Sequence, residues 1–326
     1  MTSTADSFER HRAAVGARLR GSGHVRTGPG SITWKVNRER ILVAAWGRAI
    51  LLQLAHPAVA AGVHHHSSFR GSLRASVRRL HSTVGAMLSL TFGDRDEMIA
   101  AAARINTIHD RVHDGSGASE RQRYSAHDPV LQRWVHVTLL DSILIAYELL
   151  VGPLTRGERD RYCAEAAIME PLLGMPDGWL PRDGAELERQ MHQMLAGDAL
   201  AVGDISRALA RAVLYPPRWR FFWPAFRATQ VLTIGTLPPS VRDAYGFAWR
   251  ARDRRAFARW TAMLRFVLRL LPAFARHWAA ARRGRGFGKA DGSSADDCDG
   301  HDWFSGMRRS TITTSSHRPS RRACFS

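Results

Sequence analysis

Apolar residues recur every three or four positions along most of the sequence, and this spacing is typical of amphipathic helices. A helix predicted over residues 73–90 illustrates the pattern, because its apolar residues form one stripe at Val77, Leu80, Val84, Met87 and Leu88. No segment shows the alternation of apolar and polar residues that is typical of a half-buried strand. The pattern therefore predicts an all-α protein.

Three capping signals indicate where predicted helices begin. Asp94 and Thr155 are each followed three residues later by a glutamate, as in a capping box, and Asp128 precedes a proline at the first helical position. A first helix is predicted to begin at Asn37, its N-cap, and to end before His56-Pro57. Later helices are predicted over residues 184–195, 204–214, 219–234 and 253–282.

The last predicted helix is basic and amphipathic. Its arginines lie on one side, and the other side has a stripe that we expect to be buried, at Phe257, Trp260, Leu264, Val267 and Leu271. A basic amphipathic helix can also lie on a membrane surface. Peripheral membrane contact is therefore an alternative that the sequence leaves open.

The predicted organisation is one helical domain between two irregular segments. Residues 1–30 are polar and end in two Gly-rich stretches, which predicts a flexible lead-in. Residues 31–283 contain the predicted helices and form a single multi-helix domain. Residues 284–326 are rich in Gly, Ser, Thr and Arg without a period, and we expect them to be disordered.

Composition narrows the class of partner and the compartment. The formal charge is +18, but the basic residues are spread along helices, so no specific nucleic-acid partner is expected. The three cysteines lack metal-ligand spacing, and residues 1–30 lack the apolar core of a signal peptide. Arg48 and His56 interrupt the apolar stretch 41–63, which favours a buried helix over a membrane span. We expect a cytoplasmic protein, with membrane association as the alternative and the oligomeric state open.

Histidines cluster where carboxylates are scarce. Nine of the fifteen histidines lie between His56 and His136, and no Asp or Glu occurs from Ile41 to Gly93. Imidazole and arginine without carboxylate suit an anionic or iron-bearing partner better than a hydrated divalent cation. We therefore expect the functional site in this region.

His109 and His113 form a candidate metal-binding pair. Their spacing of four residues would place both imidazoles on one face of a helix. No glutamate lies between them, so a zinc-protease site is excluded. The alternative is that His109 is a core histidine bonded to a backbone carbonyl. For His64-His65-His66, a solvated loop is favoured over a metal site, because consecutive side chains diverge.

Arg79 and Thr83 form a second candidate pair. They are four residues apart on a predicted helix, and a guanidinium can bind the carboxylate of a ligand through two parallel hydrogen bonds. The alternative is a structural ion pair of Arg79 with Asp128 or Asp141. The sequence does not decide between them.

An ordered series of motifs along residues 36–271 resembles one known family. The series includes Leu51-Leu-Gln-Leu-Ala-His56-Pro57, His66-Ser67 with Phe69, Arg79-x-x-x-Thr83, Ile108-His109, Tyr124-Ser-Ala-His-Asp128-Pro129, Trp134-Val-His136, Val151-Gly-Pro153, and Leu237-Pro-Pro239 with Ala244-Tyr-Gly246. In this series the chain is similar to the MpaB and latex-clearing-protein (rubber oxygenase) catalytic-domain family. The series is more specific than any one of its motifs.

The resemblance implies a cofactor, a reaction and its residues. Relatives bind haem b in an all-helical, distantly globin-like domain and use dioxygen to cleave double bonds of isoprenoid chains. The implied protein is a haem b-binding oxygenase with a haem pocket inside its helical domain. His109 would be the proximal ligand of the haem iron, with His113 as its rival. Arg79 and Thr83 would be the polar catalytic pair near the haem, and His136 a further cofactor-binding residue.

Two departures from the family bear on the substrate. Some rubber-cleaving relatives have a lysine where this chain has Ser82, and their glutamate base has no counterpart in the carboxylate-free stretch 41–93. Because no export signal is evident, we expect a small apolar substrate, such as a terpenoid or lipid tail, rather than rubber. Two other interpretations stay open: a haem-binding or haem-sensing protein without turnover, and a basic helical protein that binds a membrane surface or nucleic acid.

Overall fold

The structure is a computed structural model that describes residues 4–24, 28–66, 73–113, 124–215 and 223–283. Within these ranges the side chains of 73–80 and 223–226 are not described. The predicted tail, 284–326, lies outside the described residues, so its disorder stays a prediction. All described residues belong to one compact unit.

The described residues form helices and contain no strand, so the all-α prediction is confirmed. A 3₁₀ helix spans Arg40–Ala44. The α-helices are α1 Thr4–Gly21, α2 Ile32–Asn37, α3 Ala45–Leu54, α4 Pro57–His66, α5 Leu73–Phe92, α6 Arg95–His109, α7 Pro129–Leu150, α8 Arg156–Ala166, α9 Met169–Leu173, α10 Gly184–Ala196, α11 Asp204–Leu214, α12 Trp223–Thr236, α13 Pro239–Ala244, α14 Ala251–Leu270, α15 Ala273–Arg276 and α16 Ala279–Arg283. The predicted distant likeness to globins stays a prediction.

The three predicted capping signals are confirmed. The Asp94 side chain accepts a hydrogen bond from the Glu97 backbone N–H, and the Glu97 carboxylate accepts one from the Asp94 backbone in return. Thr155 and Glu158 form a second capping box at the start of α8. Asp128 is the N-cap of α7, and Pro129 is the first residue of that helix. Each signal satisfies N–H groups that a helix leaves unpaired at its start, so it acts locally and can be read from sequence.

The N-terminal segment differs from its prediction. Residues 4–21, predicted to be part of a flexible lead-in over 1–30, form the helix α1, which packs along α6. Val15 and Leu19 lie one turn apart and are buried against Met98 and Ile99 of α6. The flexible lead-in was therefore a wrong prediction for these residues. It failed because α1 has few apolar positions and depends on a distant helix to bury them.

The first predicted helix is also corrected. Asn37, predicted as its N-cap, is the last residue of α2, whose N-cap is Ser31. The 3₁₀ helix and α3 follow, and α3 ends at Leu54, just before the predicted break at His56-Pro57. The Ser31 hydroxyl accepts a hydrogen bond from the Trp34 N–H, so a serine rather than the asparagine satisfies the helix start.

The core of the domain lies where α3 packs along α7. Leu51 of α3 and Trp134 and Leu144 of α7 are almost fully buried. Arg48 enters the same core from α3 and pairs with Asp141 of α7 at 2.6 Å. A buried guanidinium without a counter-charge would be costly, so this pair stabilises the contact between the two helices.

The last predicted helix is shorter than expected. In its second half, part of the side that was predicted to be buried is exposed. Pro272 follows the end of α14 at Leu270, and the short helices α15 and α16 come after it. Val267 and Leu271, predicted on the buried stripe, are exposed. Among the described helices none is long and apolar enough to cross a membrane alone, although the bent pair Arg40–Leu54 and Pro57–His66 passes by length and composition.

Candidate functional site

The C-terminal end of α6 presents His109 at the junction with α1 and α7. The Asp94 capping box begins α6, and Ile99 and Asn106 lie buried on its inner side. Ile108, which directly precedes His109, is exposed. The Asn106 amide donates to the Leu172 carbonyl of α9 at 2.9 Å, which fixes the last turns of α6. His109 is therefore held on an anchored helix end.

The imidazole of His109 is neutral and lacks a partner at one nitrogen. Burial, together with the charges of the neighbouring His127 and His11, lowers its pKa to about 4 against the opposing charge of Asp110. Nδ1 is closed to solvent and has no hydrogen-bond partner among the described residues. The predicted alternative, a core histidine bonded to a backbone carbonyl, therefore has no support at Nδ1.

His136 is a second neutral imidazole in the same place. It lies on the second turn of α7, and burial lowers its pKa to about 4, with an added effect of the charge on His109. That electrostatic effect places the two histidines near each other. Two of the predicted site residues, His109 and His136, therefore lie close enough for their charges to interact.

Asp110 joins three other side chains into a cluster beside His109. Its Oδ2 accepts hydrogen bonds from Ser7 Oγ at 2.5 Å and from His11 Nε2 at 2.9 Å, and its Oδ1 accepts one from His127 Nε2 at 2.8 Å. Partial burial favours a higher pKa for Asp110, but these hydrogen bonds outweigh it and lower that pKa well below the usual range. The carboxylate is therefore ionised, and both of its oxygens accept hydrogen bonds.

The Asp110 cluster touches the predicted site and also resembles a metal-binding group. The His127 ring meets the His109 ring edge-on, with 5.7 Å between centroids. The ligand atoms of His11, Asp110 and His127 all lie within 4.8 Å of one another. This cluster could not be predicted from local sequence patterns, because His11 is 99 residues from Asp110 along the chain.

His113 is separated from His109 by the end of the helix. Because α6 ends at His109, the two residues do not share a helix face, and that prediction was wrong. His113 is exposed and lies opposite Ser125 in an isolated bridge, and its carbonyl accepts a hydrogen bond from His66 Nε2 at 3.0 Å. The chain turns at Asp110 instead of continuing the helix, which removes the geometry that the spacing implied.

The three consecutive histidines form the last turn of α4, where a loop had been expected. All three are exposed. His65 Nδ1 lies 3.2 Å from the Tyr124 hydroxyl, in the segment that leads into α7. His65 and His66 therefore connect α4 to Tyr124 and His113, respectively. These described contacts do not bring the three imidazoles to a common point.

Arg79 and Thr83 both belong to α5, which packs against α6. The Arg79 side chain lies outside the described residues, so its predicted role is untested. Thr83 is exposed on α5. The two structural partners considered for Arg79 are engaged elsewhere, since Asp128 caps α7 and Asp141 pairs with Arg48.

A small apolar cleft lies between α5, the 3₁₀ helix and α7. Its α5 wall begins at Val84, immediately after Thr83, and Ile143 in its α7 wall lies two helical turns beyond His136. The cleft therefore runs along the helices of two predicted site residues. It is lined by Asn37, Glu39, Leu42, Val43, Trp46, Val84, Met87, Leu88, Thr91, Phe92, Ile143 and Trp278.

Neither the position of Glu39 at the cleft nor the burial of His56 was predicted from the sequence. Glu39 lines the cleft, although it is paired with Arg276 at 2.6 Å and with His277 at 3.2 Å. Glu39 lies just before the carboxylate-free stretch 41–93, in which the functional site was expected. His56 belongs to a quoted motif, and burial lowers its pKa against the opposing charge of Asp128, while its Nδ1 is buried without a hydrogen-bond partner in the described part of the chain.

Comparison with known proteins gives one family and two relatives. The family described as ER-bound oxygenase mpaB/B'/Rubber oxygenase, catalytic domain, matches residues 34–266. Two uncharacterised proteins, of Mycobacterium bovis and of Mycobacterium tuberculosis, are each 27% identical to this chain over 227 residues. These alignments cover 68% of this chain and 87% of each relative. No solved structure matches this chain significantly.

Proposed function

Because the chain belongs to the family of ER-bound oxygenase mpaB/B' and rubber oxygenase catalytic domains, we propose that it is a haem b-dependent oxygenase that uses dioxygen to oxidise or cleave a small apolar substrate. Oxygenase chemistry follows from the family, while the haem and the substrate are our proposal. The observation behind the haem is the neutral imidazole of His109, whose Nδ1 is buried without a hydrogen-bond partner in the described ranges.

The residues around His109 fit a haem iron. Iron in haem proteins takes a neutral imidazole, and the low pKa of His109 supplies one at neutral pH. A buried polar atom without a partner is costly, and iron bound at that nitrogen would offset the cost. Among the described residues, the carboxylate that acts on the charge of His109 is that of Asp110, and it is already bound by Ser7, His11 and His127.

We assign different roles to the cofactor and to the residues of the chain. Bound haem b would supply the redox-active iron that activates dioxygen. His109 would hold the iron, and the Arg79 guanidinium would pair with a propionate, because a planar fork suits a carboxylate. Thr83 and His136 would complete the polar surroundings of the cofactor. The cleft between α5 and α7 would bind the apolar substrate, since most of its lining is aliphatic or aromatic.

The test is the visible spectrum and pyridine haemochrome of the protein expressed with a haem precursor, with metal analysis of the same sample. We expect a Soret band and close to one haem b per chain. A protein that stays colourless after reconstitution with hemin would overturn the proposal. Aerobic consumption of an isoprenoid by the haem-loaded protein then separates an oxygenase from a haem-binding or haem-sensing protein without turnover.

Two single variants test the ligand. His109→Ala is expected to lower haem occupancy by at least about tenfold, because it removes the bond to iron. His113→Ala is the matched control, since His113 is exposed and lies beyond the end of α6, and it should retain haem. Occupancy is read from the pyridine haemochrome per mole of folded protein. If His109→Ala keeps a normal haem spectrum while His113→Ala loses it, the assignment of the iron ligand is wrong.

The Asp110 cluster favours a second candidate centre without haem. Two histidines and one carboxylate are the ligand set of non-haem iron oxygenases, and His11, Asp110 and His127 bring these groups within 4.8 Å of one another. A metal there would replace the hydrogen bonds among the three side chains. Metal analysis distinguishes the centres: iron in a colourless sample, lost in His127→Ala, favours the cluster, and iron in proportion to haem favours His109.

A further inference from the structure

Most residues in the second half of α14, residues 261–270, are exposed. Its first half is packed, because Phe257 lies so close to Gly235 of α12 that a Cβ on that glycine would be 2.4 Å from the Phe257 ring. Farther along, only Thr261 and Leu268 of α14 are buried. The helix therefore turns one narrow side to the core and most of its surface to solvent.

The exposed side of this helix is apolar. Phe266, Leu270 and Phe274 are 63%, 69% and 65% exposed, more than any other large apolar residue in the described ranges. Met263, Phe266, Val267 and Leu270 recur every three or four residues along α14, so they share one side of that helix, and the exposed Leu271 and Phe274 follow directly after its end; these six residues are here called the α14 stripe. Single exposed apolar residues are ordinary, but six large ones so close together along the chain indicate a binding surface.

Arginines flank the α14 stripe without counter-charges. Residues 254–283 contain no Asp or Glu. Arg265 and Arg269 are exposed, each directly before a residue of the stripe, and neither forms an ion pair among the described residues. Arg276 differs, since it pairs with Glu39. The surface therefore combines large apolar side chains with unneutralised positive charge.

We propose that the α14 stripe, with Arg265 and Arg269, docks the protein on the surface of an anionic lipid bilayer. Phe266, Leu270 and Phe274 insert at the boundary of headgroups and acyl chains, and the arginines bind lipid phosphates. A symmetric dimer through this stripe would bring the arginines of two copies together, which opposes such a contact. The segment 284–326 has seven basic and five acidic residues, so its charge is not complementary either.

The experiment measures cosedimentation of the full chain with vesicles of phosphatidylcholine alone or mixed equally with phosphatidylglycerol. We expect binding to the mixed vesicles that weakens with salt, and at least about tenfold weaker binding to the neutral ones. The double variant Phe266→Ser with Leu270→Ser should lose at least about tenfold in partition to mixed vesicles. Both residues are exposed, so circular dichroism should show an unchanged fold.

Two further variants keep the proposal testable. Arg265→Gln with Arg269→Gln should weaken binding to mixed vesicles about tenfold and reduce its salt dependence. Val130→Ser is the matched control, because Val130 is an exposed apolar residue outside the stripe, and it should bind like wild type. Absence of wild-type binding, or equal binding by the stripe variants, overturns the proposal. So does a dimer in sedimentation velocity without lipid that the Phe266 and Leu270 substitutions dissociate. None of these readouts requires haem.

Discussion

At the scale of single residues, environment decides what each histidine can do. Burial is the main cause that lowers the pKa of His56, His109 and His136. These three are neutral at neutral pH, and a neutral imidazole can bind iron. His66 lies in the same histidine-rich stretch of sequence but is exposed and donates to a backbone carbonyl. The residue type alone therefore does not distinguish a site histidine from a surface one.

These low pKa values predict that acid destabilises the haem-free protein. In the folded state His109 and His136 have a pKa of about 4, below the ordinary value of 6.5. Between these values the unfolded chain binds more protons, so the free energy of unfolding falls as the pH falls through this window. We expect a loss on the order of 2 kcal/mol for each histidine between pH 7 and pH 5. Urea unfolding at several pH values measures it.

The control for the pH dependence is an exposed histidine. His192→Ala, on the outer side of α10, should leave the slope of stability against pH unchanged, whereas His136→Ala should make it shallower. The two variants are compared by that slope, so a constant loss of stability from the substitution itself does not matter. A stability that stays level from pH 7 to pH 5 in the wild type would contradict buried, neutral histidines.

At the scale of elements, buried ion pairs join helices that are far apart in sequence. Glu39 lies before the 3₁₀ helix and is 1% exposed, yet Arg276 at the end of α15 donates to it at 2.6 Å. His277 adds a second contact at 3.2 Å. The pair attaches α15 to the start of the 3₁₀ helix, on the border of the cleft. The wall of the proposed substrate site thus depends on a C-terminal element.

We therefore predict that Glu39→Gln destabilises the domain. The substitution leaves the Arg276 guanidinium partly buried without its counter-charge, which costs about 3 kcal/mol. Glu188→Gln is the control, because its pair with Arg159 is exposed and should contribute less than about 0.5 kcal/mol. Urea unfolding of both variants measures the difference. Equal, small losses would mean that the buried pair does not stabilise the attachment of α15.

Helix ends were predicted well where one short segment determines them. The starts of α6, α7 and α8 follow from Asp94, Asp128 and Thr155, whose side chains bond to N–H groups two or three residues away. The end of α6 was not predicted, and the geometry expected for His109 and His113 was therefore wrong. No glycine or proline marks that end, so the turn at Asp110 has no strong local signal.

At the scale of the whole molecule, the core extends from α1 to α16. Val15 of α1 is fully buried against α6 and α9, and Ala281 of α16 is fully buried near Trp34 and Phe92. The predicted domain of residues 31–283 is therefore too short at its N-terminal side. Its C-terminal boundary stays a prediction, since residues 284–326 lie outside the described ranges.

A pair of truncations tests these boundaries. Removal of residues 284–326 should change the free energy of unfolding by less than about 0.5 kcal/mol, because the described core ends at Ala281. Removal of residues 1–24 should cost at least about 3 kcal/mol, because it uncovers the surface of α6 that Val15 and Leu19 bury. It also deletes Ser7 and His11, the partners of Asp110. Equal stability of the two truncated chains would contradict this account of the core.

The sequence by itself determined the helical class and several helix starts, because periodicity and capping depend on residues within about four positions, and its ordered motifs indicated the family. It also pointed to His109 and His136 through the ordered motifs. Tertiary structure alone decided which side chains meet. Ser7 and His11 reach Asp110 across about a hundred residues, and Arg276 reaches Glu39 across 237.

The α14 stripe is a second feature that only the tertiary structure decided. Its apolar spacing is the same whether a helix is buried or exposed, so the sequence predicted burial of Val267 and Leu271. The packing of α14 on α12 and α7 and the break at Pro272 leave that side exposed in the described part of the chain. Periodicity reports the orientation of side chains around a helix axis, and contacts between helices decide which side faces the core.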